Sequence, residues 1–93
     1  MNDVQAAIAD LLADYCNAIG LMYAHKKTTL WVCLDRRPNL LRIEMHMSCV
    51  SIADVANGEK YTLAYDDPNF INDLIGRLRE FADRCRANLH RWS

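Results

Sequence analysis

Only three glycines (Gly20, Gly58, Gly76) and two prolines (Pro38, Pro68) interrupt this chain of 93 residues. A glycine-rich phosphate loop needs several glycines in one short segment, so that class of nucleotide site is excluded. No apolar run approaches the ~18–20 residues that a bilayer-spanning helix requires. Asp3 and Asp10 break the N-terminal apolar pattern and no basic leader precedes it, so a secretory signal peptide is not expected. Repeats, low-complexity tracts and linkers are missing as well. The expectation is one cytoplasmic domain with no membrane partner.

The cysteines are few and scattered. Cys16, Cys33, Cys49 and Cys85 form no Cys-x-x-Cys, and none has a histidine at zinc-site spacing. Without a secretory context they read as small buried or half-buried thiols rather than disulfides. His25, His46 and His90 sit on different segments, with no carboxylate at a ligand-like interval on a helix. No metal and no other cofactor is expected.

Charge of one sign is also absent locally. The net charge is −1, yet residues 1–20 carry Asp3, Asp10 and Asp14 and no base. Residues 77–93 carry Arg77, Arg79, Arg84, Arg86 and Arg91 against Glu80 and Asp83. Such asymmetry can orient a partner or a symmetric dimer. A chain this short buries only roughly 60–65% of its unfolded surface, so a homodimer would add useful burial.

The clearest pattern present is Leu41 to Cys49. Leu41, Ile43, Met45, Met47 and Cys49 are apolar, while Arg42, Glu44, His46 and Ser48 between them are polar. Successive strand side chains face opposite ways, so this is a half-buried strand. Thr28 to Asp35 is expected as the strand before it, with Leu30, Val32 and Leu34 on one face and Thr29, Trp31, Cys33 and Asp35 on the other. Arg36-Arg37-Pro38-Asn39 reads as the turn between the two. Asn57-Gly58 predicts a type I′ hairpin joining Val50–Ala56 to Glu59–Tyr65, where Tyr61, Leu63 and Tyr65 alternate with polar residues. The apolar parity changes after Cys49, since Val50 and Ile52 are even. That predicts a bulge or bend near Cys49–Ser51 in one long middle strand, or a short loop over Ser51–Ala56.

Helices flank this region. Val4, Ile8, Leu11, Leu12, Tyr15, Ile19 and Met22 follow helical spacing, with Asn2 or Asp3 as cap and Gly20 as terminator. Asp67 and Pro68 are expected to open a second helix as N-cap and first residue. Its apolar face is Phe70, Ile71, Leu74, Ile75, Leu78, Phe81, Ala82, Cys85 and Leu89. Asp73–Arg77, Arg79–Asp83 and Glu80–Arg84 are opposite charges four apart on its flank. Gly76 costs about 1 kcal/mol inside a helix, which suggests close packing there. The resulting fold class is α+β: an α-β-β-β-α domain whose three-stranded antiparallel sheet is covered on one face by two helices.

Glu44 and His46 share a sheet face, but Cys49 has the opposite parity and points away unless a bulge intervenes, and a flat strand surface is a poor place for acid–base work. No enzyme activity is expected. The α-β-β-β-α order resembles that of double-stranded-RNA-binding domains. In that family a lysine cluster opening the last helix grips phosphates, whereas here Pro68 to Asp73 holds no lysine and acids surround it. Only Arg36, Arg37 and the distant arginines remain for nucleic acid, an unlikely partner.

Protein binding fits the residues better. Trp31, expected on the polar face near Arg42, Glu44, His46 and Lys60, has the composition of an interface hot spot, or else covers the sheet edge or packs in a dimer. Arg77 and Arg84 on the last helix can meet an acidic patch, and Trp92 can dock an end of the domain. The first strand is expected to be an edge guarded by Lys26 and Lys27. In size and style the chain resembles small accessory proteins of phages and mobile elements, including anti-CRISPR inhibitors. Its opening helix ending at Gly20-Leu21 also resembles type III secretion chaperones, which carry more strands than the three expected here. The expectation is a stoichiometric inhibitor or adaptor acting by occlusion.

Overall fold

The computed structural model describes residues 2–34 and 40–92, with side chains through residue 87. Seven elements follow in order: α1 (Asp3–Ile19), β1 (Met22–Lys26), β2 (Thr29–Cys33), β3 (Leu41–Met45), β4 (Cys49–Asp54), β5 (Glu59–Ala64) and α2 (Phe70–Trp92). The α+β class and the pair of helices agree with expectation. The sheet has five strands, not three, in the order β1-β2-β3-β4-β5 with every neighbour antiparallel. The α-β-β-β-α order, and with it the element-order likeness to double-stranded-RNA-binding domains, is thereby corrected.

Two strands were hidden for different reasons. β1 is exposed along its whole length, so no burial alternation marks it. It also takes the edge position that was expected for Thr28–Asp35, whose described part is β2, an interior strand. A tight turn at Lys27-Thr28 joins them, with Lys27 at φ 55. The single long middle strand is two strands, β3 and β4, joined by a hairpin at Met47-Ser48 that His46 N–H closes onto Cys49 O at 2.8 Å. Antiparallel pairing of Met45 with Val50 and Ile43 with Ile52 matches odd positions to even ones. The change of parity is therefore a reversal of the chain, and no bulge is needed. Met47, expected in the core, stands at that hairpin with 78% of its surface exposed.

Both helices cover one face of the sheet. Ile8, Leu12 and Cys16 of α1 and Phe70, Leu74, Leu78 and Phe81 of α2 pack on Leu30, Val32, Ile43, Met45, Val50 and Ile52. Tyr61, Leu63 and Tyr65 close the β5 side. At the start of α1, Asn2 and Gln5 form a reciprocal capping box at 2.8 and 2.9 Å. The Gln5 amide then donates to Met45 O and His46 O, at 3.0 and 3.2 Å, tying the helix to the β3–β4 hairpin. Gly20, at φ 78, ends α1. Val4 and Met22 are both half exposed rather than buried, and Met22 belongs to β1.

The other local expectations fare unevenly. Asn57-Gly58 does lie in a hairpin, but only Gly58 takes a positive φ, so the connection is a four-residue loop and not a type I′ turn. α2 begins at Phe70, two residues later than its proposed first residue. Asp67 still caps the approach, its Oδ1 accepting from Asn69 N–H at 2.8 Å. Ile71 is largely exposed. A Cβ added at Gly76 would meet nothing within 4 Å, so no close packing explains that glycine. Asp35, Arg36, Arg37 and the side chains of Leu89 and Trp92 lie outside the described residues. No helix among the described residues is long and apolar enough to cross a membrane.

Candidate functional site

The two helices leave the opposite face of the sheet uncovered. Cross-strand register sets its residues in rows. One row runs Ala24, Trp31, Arg42, Ala53, Lys60; the next runs Lys26, Thr29, Glu44, Ser51, Thr62. Alternation within each strand sends these side chains outward because their neighbours Leu30, Val32, Ile43 and Ile52 are buried in the core. The small Ala24 and Ala53 flank the large Trp31–Arg42 pair, both of whose members are half-buried.

Trp31, Arg42, Glu44 and His46 are thus brought to one face, as alternation predicts. Arg42 Nε lies 3.1 Å from Glu44 Oε1, and His46 Nε2 lies 3.8 Å from Glu44 Oε2. The Arg42 Nε is shut off from water, and its N–H is not directed at the carboxylate. Their closeness is a charge contact rather than a hydrogen bond. Between β3, β4 and β5 lies a shallow cleft of about 180 Å³, lined by Arg42, Glu44, Ser51, Ala53, Lys60 and Thr62. Charge on this face is mixed, and its acid–base pairs are partly exposed, which suits orientation of a partner more than tight internal bonding.

Ser51 was missed by sequence reading because its parity is legible only once the hairpin is known. Its hydroxyl sits 3.1 Å from His46 Nε2. Serine, histidine and glutamate side by side suggest a hydrolytic relay, yet the geometry differs from one. Both Ser51 and Glu44 approach the same ring nitrogen. A relay needs the acid on the other nitrogen, where it fixes the tautomer and stabilises the imidazolium. Among the described residues no group of three or more His, Cys, Asp or Glu is arranged to hold a metal ion.

Arg77 and Arg84 lie on the helix layer, away from this face. The Arg77 guanidinium stacks 3.6 Å above the Tyr61 ring and reaches Glu80 at 3.7 Å. Arg84 donates to the buried Asp54 at 2.7 Å and lies 3.8 Å from Glu59. The helical pairs expected with Asp73 for Arg77 and with Glu80 for Arg84 are replaced by these contacts. The Tyr61 hydroxyl donates to Glu59 at 2.7 Å, a bond that pushes the phenol pKa up. Burial, and then the nearby Cys49, does the same for Tyr65, whose hydroxyl donates to His46 O. Arg77 and Arg84 are thus occupied by internal contacts.

No protein-family model, curated protein or solved structure matches the chain.

Proposed function

We propose that the protein is a non-enzymatic binding domain whose uncovered sheet face seats on a partner protein and blocks or bridges that partner's working surface. The observation that carries this reading is the outward placement of Trp31 beside Arg42 between two alanines. Tryptophan and arginine dominate interface energetics because each buries a large surface while keeping a polar handle. Glu44, His46 and Lys60 around them supply the polar rim that sets register. Within this class, a stoichiometric inhibitor or adaptor of phage or mobile-element type, anti-CRISPR-like in style, is the leading assignment, acting in the cytoplasm. Occlusion needs only a preformed surface, and a five-stranded sheet backed by two helices provides a stiff one.

A second reading, a secretion-chaperone-like homodimer, is favoured by one observation: the sheet has two strands more than the residue pattern predicts. The two readings differ in what covers the face. Affinity capture from bacterial lysate, with and without nuclease, separates them from nucleic-acid binding. A protein retained at one-to-one stoichiometry in both halves, and lost on Trp31→Ala with Arg42→Glu, supports the proposal. Recovery that vanishes with nuclease, or capture indifferent to both substitutions, contradicts it.

A further inference from the structure

A second surface lies on the helix layer, on the other side of the molecule. Between the starts of α1 and α2 lies an open groove of about 410 Å³, lined by Val4, Ala7, Leu11, Pro68, Phe70 and Ile71. Val4 and Ile71 expose 51% and 44% of their surface, more than the core requires. Met47, also exposed, lies near the start of α1, where its sulfur meets the Asn2 amide. From Val4 to Leu11 the groove follows α1 for two turns, about 10 Å.

The segments that line this groove carry charge of one sign. Residues 2–20 and 65–76 contain Asp3, Asp10, Asp14, Asp66, Asp67 and Asp73 and not one lysine or arginine. Asp3, Asp10 and Asp14 are exposed at seven- and four-residue spacing, so they run along the side of α1 next to Ala7. Asp67 lines the groove's other wall. An apolar floor with an acidic border is the complement of a helix with leucine-like anchors and basic flanks. We infer that this groove binds a basic amphipathic helix of a partner protein, with anchors at i, i+3 or i+4 and i+7 lying along α1 and its lysines or arginines facing the aspartates.

Three arginines of α2 are poor candidates for that role in a second copy. Arg77 is stacked on Tyr61, Arg84 is held by Asp54, and Arg86 donates to Ile19 O at the end of α1. Releasing them would undo contacts inside the fold. A different protein is the occupant we commit to, and with the sheet face also engaged the domain would bridge two partners.

The test uses the full chain and three fluorescent peptides of about 18 residues. One is a leucine/lysine amphipathic helix, one is its shuffled sequence, and one has glutamate in place of lysine. Anisotropy at low and high salt is read beside amide NMR shifts. The inference expects the leucine/lysine helix to bind at least tenfold tighter than both controls, more weakly in salt, with shifts centred on residues 4–11 and 67–71. Ile71→Glu and, separately, the pair Asp10→Lys and Asp14→Lys should each weaken it about tenfold. Both sites are solvent-facing, so circular dichroism should stay unchanged. Equal binding of the shuffled or glutamate peptide, shifts on the sheet face, or no binding by about 1 mM would overturn it. So would a homodimer in light scattering that Ile71→Glu dissociates.

Discussion

Asp54 is the residue whose environment governs most of its neighbourhood. It is 3% exposed, accepts from Arg84 at 2.7 Å and from the Asn57 backbone and side chain at 3.3 Å, and its own carbonyl accepts from Gly58. One carboxylate thus joins the β4–β5 loop to α2. Arg84 is partly exposed and Asp54 is not, so the two partners are unequal. Arg84→Met should destabilise by about 2–4 kcal/mol, since it strands a buried charge, whereas Asp54→Asn should cost less, about 1–2 kcal/mol, because one acceptor oxygen remains for Asn57 and water reaches the orphaned guanidinium. Urea unfolding of both variants checks the order. Cys16 makes a second prediction. Burial lifts its thiol from the ordinary 9.0 to about 11. Below pH 9 the thiol is neutral in both folded and unfolded chains and costs nothing. Above it the unfolded chain ionises first, so stability should fall between pH 9 and 11 by up to roughly 2–3 kcal/mol. Cys16→Ser or Cys16→Ala should flatten that part of the pH profile. Native thiol labelling should likewise reach the half-buried Cys33 and Cys49 before the buried Cys16 and Cys85. The buried or half-buried state of all four was expected because no zinc-site spacing and no secretory context gave them another role. The role of Asp54 was not, because nothing local distinguishes a loop aspartate from one whose partner lies thirty residues on.

At the scale of elements, periodicity identified what was half-buried and failed where both faces share one environment. β3 alternates cleanly, with Leu41, Ile43 and Met45 buried, and was legible. β1 is exposed on both faces, so Met22 could be taken as the last turn of the helix before it. The hairpin at Met47-Ser48 carries neither glycine nor proline, and only the parity change betrayed it. α2 was legible from its apolar face, although its glycine was not explained. Gly76 has open space where a Cβ would go. Gly76→Ala should therefore stabilise the protein by about 0.5–1 kcal/mol through helix propensity and reduced freedom of the unfolded chain. A loss of stability on thermal or urea unfolding would mean that a neighbour needs that space.

For the whole molecule, the layers divide the work. Two helices and one sheet face build the core, and the remaining face carries Trp31, Arg42, Glu44 and His46 at its centre. Those four were legible as a group because one strand's alternation and one cross-strand neighbour sufficed. The breadth of the face was not, since it depends on β1 and on the separate pairing of β4. The most direct test is calorimetric titration of the captured partner, once purified, into wild type and Trp31→Ala. A hot-spot tryptophan contributes about 2 kcal/mol or more, so the variant should bind roughly thirtyfold more weakly with its fold intact. Affinities within twofold of each other would contradict the account and move the interface away from the sheet.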